Sequence, residues 1–417
     1  MTAFQRVFRQ SPMRQFAIAI GTLTGPSVVG AALSFISTPL LVGWFTPAQF
    51  GEAANALAAA SILSGLVTLR IDMILYQPEN EGQRPEVARM GLAISALLSF
   101  LLTVPFFSAV GLMRGAWDTT TLFYTAQVCV LTLTLAASNI GTAYLVAERL
   151  YLRSGIPKIV TPLTIVAVSA IARWTGSIGD ETFLLANVAG SAAAAVLYGF
   201  SPVRRARGSV AGGILPLLRR RQRYIGFAVA QSVVGTASLL NMFIMIVAKC
   251  YGIATSGQLF LAYRIFAFPS AILGMAAGHL LAANVKYLRG HGMRKFLLGM
   301  MVLGIVVYMP LLLVAIVIPS QWIPMQWRES LDVAVPVIIL CFAQFAVGSF
   351  GHLLLVWDKA HKFFIWDLAR LVLTSAIALL CWWGGGNYMF ATWGFVMTHL
   401  IMYGLLTIIL LREAYSS

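Results

Sequence analysis

The chain has 417 residues, of which 59% are hydrophobic and only 10% charged. A soluble domain carries roughly 25% charged residues, so this chain lacks the polar groups to cover a water-facing surface, and lipid must be its main solvent. The net charge is +15 at pH 7. Its basic residues lack the aromatic interleaving of a nucleic-acid surface, which excludes nucleic acid as a partner and points to anionic lipid.

Apolar runs close to the ~20 residues of one crossing recur twelve times. They lie at about 17–43, 53–75, 90–113, 120–146, 157–176, 182–202, 225–249, 255–284, 296–318, 331–356, 364–384 and 388–411. The first follows a basic start (Arg6, Arg9, Arg14) and is too long for a signal peptide, so a membrane helix is expected there. The runs are continuous, without period-two alternation, which specifies helices and not a barrel. Pro26, Pro105, Pro162, Pro269, Pro310 and Pro336 fall inside them, as only helices packed against neighbours in a membrane tolerate.

Of the 29 lysines and arginines, 22 fall in the tails and alternate loops of one side, 4 on the other (Arg114, Arg173, Lys249, Arg328) and 3 within spans. This asymmetry predicts cytoplasmic N- and C-termini. The basic stretch 203–224, VRRARGSVAGGILPLLRRRQRY, separates an N-terminal lobe (1–202) from a C-terminal lobe (225–417), with six spans in each. WFTPAQFGEAANALAAA after helix 1 and CYGIATSGQLFLAYRIF after helix 7 both place an aromatic six residues before a glycine. Gly51 thus corresponds to Gly257. The expected fold is an all-α polytopic membrane protein of about twelve transmembrane helices in two pseudo-repeated six-helix lobes, the layout of a duplicated transporter.

No Gly-rich phosphate loop, GxSxG or HExxH spacing occurs, and no cofactor or metal is expected. Cys129, Cys250, Cys341 and Cys381 lie far apart in or beside apolar runs and read as packing residues. No ATP-binding domain is present. The external loops are short, the longest at about 319–332, which leaves little room for the acidic residues of a membrane glycosyltransferase or polymerase.

Charge within the spans singles out candidate sites. On helix 2, Arg70 lies ~26 Å from the outer entry at Ala53, near the cytoplasmic face. Arg70 and Asp72 are too close in sequence to face each other along a helix. They are read as a gate, a helix-end staple or a substrate contact. Asp367 and Arg370 are expected to pair one turn from the cytoplasmic end of helix 11. Arg264 lies ~14 Å along helix 8, near the bilayer midplane, with no acid within a turn. It either holds an anionic group in a central cavity or bonds to carbonyls freed by Pro269. Gln231, Asn241, Gln258 and Gln344 either line a polar lumen or bond between helices. His279 and His352 read as packing residues.

The stretch TPLLVGWFTPAQFGEAANALAAASILSGLVTLRIDMILYQPENE resembles the N-terminal signature of the polysaccharide-biosynthesis (O-antigen) flippases of the multidrug/oligosaccharidyl-lipid/polysaccharide (MOP) superfamily. Thr46, Pro47, Phe50 and Gly51 match that family's T-P-x-x-F-G turn, and Arg70, Asp72, Pro78 and Glu79 match the element ending helix 2. In the second half, Tyr251, Gly252, Gly257, Leu261, Ala262, Arg264 and Pro269 follow the family's second pattern. Asp72 and Tyr251 depart from the usual Glu and Phe.

The resemblance implies two six-helix lobes in a V, helices 1, 2, 7 and 8 around a cationic cavity, and alternating access without ATP. It also implies an undecaprenyl-pyrophosphate-linked oligosaccharide as substrate in the bacterial inner membrane, with a polysaccharide polymerase and glycosyltransferases as further partners. The expected substrate contacts are Arg264, Arg70, Asp72, Gln258 and Asn241. Competing readings are a cation-coupled multidrug-type antiporter of the same superfamily, a membrane-embedded glycosyltransferase or polymerase, and a non-transporting scaffold. The antiporter wants a mid-depth carboxylate, whereas every acid here is read at or near a helix end or in a loop.

Overall fold

The computed structural model describes residues 12–76, 82–115, 117–205, 222–270, 291–351, 353–354, 357 and 359–416. Among these, all regular structure is helical, and each of the twelve expected spans holds a helix. Among the described residues nine helices are long and apolar enough to cross a membrane, or ten if the helix pair Met325–Asp332 and Ala334–Ala346, bent by 50°, counts as one span.

The first lobe comprises α1 (Pro12–Trp44), α2 (Pro47–Val67), α3 (Ile71–Leu75), α4 (Arg84–Leu101), α5 (Thr103–Arg114), α6 (Thr119–Ala147), α7 (Tyr151–Trp174) and α8 (Thr182–Arg205). The second comprises α9 (Gln222–Thr236), α10 (Met242–Tyr251), α11 (Ile253–Phe266), α12 (His291–Val317), α13 (Glu329–Asp332), α14 (Ala334–Ala346), α15 (Ala360–Trp383) and α16 (Tyr388–Ser416). Apolar side chains such as Phe45, Phe50, Leu131 and Phe183 pack the first lobe, and Phe243, Phe345, Phe350 and Phe395 the second. Outward faces stay apolar, with Leu313, Val317, Ile401 and Ile408 exposed as a lipid-facing surface requires.

Local chemistry sets the helix ends. Thr46 caps α2: the Gln49 backbone N–H donates to its hydroxyl, the Thr46 backbone N–H donates to Gln49 Oε1 at 2.9 Å, and Pro47 fills the first turn. At α6, Asp118 accepts from the Thr121 backbone N–H and the Thr120 hydroxyl, which holds its carboxyl down at about 2. Helix 3 of the sequence reading divides at Leu102, because Pro105 cannot donate to the Leu101 carbonyl.

Two expectations about helix 2 change. It begins at Pro47, six residues before the expected start, and it does not run unbroken to residue 75. Leu69 and Arg70 adopt φ of 45° and 55°, which ends α2 and starts the short α3. Left-handed backbone at two consecutive non-glycine residues is strained and persists only where surrounding packing enforces it. His279 and His352 lie outside the described residues.

A half-buried arginine on the seam between the lobes

The lobes meet most closely where α2 and α11 begin, at the end the charge pattern assigns to the outside. Gly51 and Gly257, paired in the sequence comparison, touch in space. A Cβ on Gly257 would lie 1.8 Å from the Pro47 carbonyl oxygen, and one on Gly51 would lie 1.9 Å from that of Ile253. Only glycine allows two backbones this near. Asn55 Nδ2 donates across the seam to Ser256 Oγ at 3.3 Å. The short segment before α13 closes over the contact. Trp327 is fully buried, meets Phe50 edge-on with ring centroids 4.9 Å apart, and donates its indole N–H to the Val42 carbonyl at 3.1 Å.

Arg264 lies further along α11 on the stripe that faces the first lobe. One turn before it, Phe260 packs against the cores of both lobes. One turn after it, Phe268 meets Phe35 of α1 with ring centroids 5.4 Å apart. Gly257, Phe260, Arg264 and Phe268 share one helical face, so Arg264 sits on the seam. It is half-buried and makes no hydrogen bond or ion pair to any described residue, including the carbonyls near Pro269. The packing role left open by the sequence is therefore not seen among the described contacts.

The other expected contacts are dispersed. At the opposite end of α2, Arg70 Nη1 donates to Ser232 Oγ of α9 at 3.3 Å and lies 3.8 Å from Asp72 Oδ2. The two side chains do meet, contrary to the expectation from regular helical spacing, because the left-handed turn at Leu69–Arg70 rotates α3 away from the line of α2. Arg70 Nε and Asp72 Oδ1 remain buried without partners. Gln258 is buried and donates through Nε2 to the Gln326 carbonyl, while its Oε1 has no partner. Asn241 donates to the Thr236 carbonyl at 2.8 Å within its own helix.

Sequence reasoning missed one cluster. Asp367 and Arg370 pair as expected, at 2.6 Å, but not near a helix end. Since α15 begins at Ala360, Asp367 is about 10 Å inside it, and the pair is 1% and 3% exposed. They pack against a π-helical turn, Ala237–Asn241, that joins α9 to α10. Such turns displace carbonyls from the regular ladder and commonly mark functional sites. Gln231, Ser238, His399 and Tyr403 complete the cluster. Only the i,i+3 acid–base spacing on helix 11 signalled it; the partners lie on other helices, Gln231 and Ser238 more than 120 residues away in sequence.

No family model and no curated protein matches the sequence. Solved structures match over nearly the whole chain. A MATE protein in complex with MaL6 is 15% identical over 99% of both chains, with a TM-score of 0.64. An outward-facing multidrug-resistance MATE family transporter of the MOP superfamily is 13% identical over 95% of this chain and 94% of that one, with a TM-score of 0.62. A MOP superfamily transporter from Pyrococcus furiosus, described as having a binding pocket of reverse polarity, is 13% identical over 95% of both chains, with a TM-score of 0.56. The chain therefore has the two-lobed, all-helical fold of MATE transporters.

Proposed function

We propose that the chain is an alternating-access flippase that carries an undecaprenyl-pyrophosphate-linked oligosaccharide across the bacterial inner membrane, with Arg264 holding the pyrophosphate. The observation that carries this reading is the position of Arg264, on the seam between the lobes and without a partner among the described residues. A guanidinium in the membrane interior costs several kcal/mol unless it faces water or an anion. Its planar fork suits a phosphate bidentately. The fold supports transport by rocking of two lobes, and the residues resembling O-antigen flippases support the lipid-linked sugar.

Arg70 and Asp72 border the same path at the cytoplasmic mouth, where Arg70 reaches across to the second lobe at Ser232. Gln258 lies near the outer mouth, and Asn241 on the wall of the second lobe. The competing antiporter reading requires a carboxylate free to take up and release a cation. The structure does bury one, Asp367, which the sequence had placed near a helix end, but Arg370 already neutralises it.

The test is complementation of surface-polysaccharide export in a strain lacking its own flippase. Arg264→Ala should abolish export while membrane insertion and thermal midpoint stay normal, and Arg264→Lys should restore it in part. Normal export by Arg264→Ala removes the assignment of the pyrophosphate site. Export by the wild type of a cationic dye, with no effect on polysaccharide, favours the antiporter.

A further inference from the structure

The Asp367 cluster resembles an ion-binding cage more than a simple staple. Arg370 Nη2 donates to Asp367 Oδ1, Ser238 Oγ and the Gly235 carbonyl, Nε donates again to Ser238 Oγ, and Nη1 donates to Tyr403 OH at 3.1 Å. The guanidinium also lies over the Trp366 ring, 4.3 Å from its centroid. One carboxylate, one hydroxyl, one phenol and one main-chain carbonyl therefore converge on a single positive charge. Oxygen donors with one negative charge are also the set a hard monovalent cation takes. Gly235 is needed for this approach, because a Cβ there would come within 2.8 Å of Asp367 Oδ2.

The geometry points to a monovalent-cation site in the second lobe that is permanently filled by the chain's own Arg370. One carboxylate balances one guanidinium. A second cation would leave net positive charge in a buried, low-dielectric setting, where an uncompensated charge is strongly unfavourable. An exchangeable ion therefore does not enter this cluster, and transport draws no energy from one there. What a free ion would do on binding is done continuously by Arg370: it ties the π-helical turn between α9 and α10 to α15 and, through Tyr403, to α16. This deepens the transporter reading, yet its test measures stability, so either can fail alone.

Thermal midpoints of the purified protein are compared in choline, sodium, potassium and low concentrations of guanidinium chloride at matched ionic strength. The wild type should melt at the same temperature in all four. Arg370→Ala should melt lower in choline and be raised by several degrees, saturably, by sodium, potassium or guanidinium. The double variant Asp367→Asn/Arg370→Ala should not respond, because the carboxylate that attracts the ion is gone. A folded Arg370→Ala protein indifferent to all three cations makes the cluster a structural staple and overturns the proposal. If Arg370→Ala cannot be purified in any salt, the wild type and Asp367→Asn decide. A wild-type midpoint that rises with sodium, with the rise lost in Asp367→Asn, overturns the proposal; flat midpoints in both support it.

Discussion

Gly257→Ala probes the contact at which the two lobes meet most closely. The added methyl would lie 1.8 Å from the Pro47 carbonyl oxygen and 2.8 Å from the Gly51 backbone nitrogen, whereas ordinary contact begins near 3.4 Å. Both neighbours are backbone atoms of α2, so no side chain can swing aside. The helices must part by more than 1 Å, or the methyl stays overpacked at a cost of about 1–3 kcal/mol. That cost falls only on the state in which the seam is closed. The open state is therefore favoured by about fivefold to more than a hundredfold, given RT of about 0.59 kcal/mol. In a background with the native cysteines replaced, Ala54→Cys reports this opening, because Ala54 is 1% exposed in the closed seam. Thiol labelling of that cysteine in purified protein should accelerate by the same factor when Gly257→Ala is added. A folded double variant that labels no faster than Ala54→Cys alone would refute the reasoning, since the two backbones would then not be in contact.

Trp327 should behave as the cover of that contact. Trp327→Phe keeps most of the ring but loses the bond to the Val42 carbonyl, for about 1 kcal/mol, and Trp327→Ala should cost about 3–5 kcal/mol; denaturant titration of the two variants checks the order. At the opposite end, buried Arg84 donates to the carbonyls of Leu75 and Ala147, at 3.1 and 3.2 Å, and pairs with Glu148. Arg84→Met leaves those carbonyls unsatisfied, so limited proteolysis should cut the segment between α3 and α4 faster than in the wild type. The depressed carboxyl of Asp118 stabilises the start of α6 at pH values above the ordinary carboxylate range. That contribution is lost as the pH falls through about 4 towards 2, and amide exchange at Thr121 in acid reads the loss.

The sequence by itself determined the solvent and the all-helical class. These are one-dimensional properties: a chain this poor in charge must face lipid, and lipid forces every run to satisfy its own backbone as a helix. It also marked Arg264, because a lone cation in a hydrocarbon run is visible without a fold, and it paired Gly51 with Gly257 through the internal repeat. Only the tertiary structure decided what those residues meet. The two glycines had to be brought backbone to backbone before the repeat became the closest contact between the lobes. Arg264 had to be placed between Phe260 and Phe268 on the seam before its want of a described partner meant anything. The left-handed turn at Leu69–Arg70 has no glycine to announce it, because packing around α2 and α9, and not local preference, enforces it. Asp367 and Arg370 read as a pair one turn from a helix end, since spacing along a chain does not tell which neighbours bury it. Gln231 and Ser238, over 120 residues away, close a cage around them, and that approach of distant helices turns an ordinary acid–base spacing into a buried ion site.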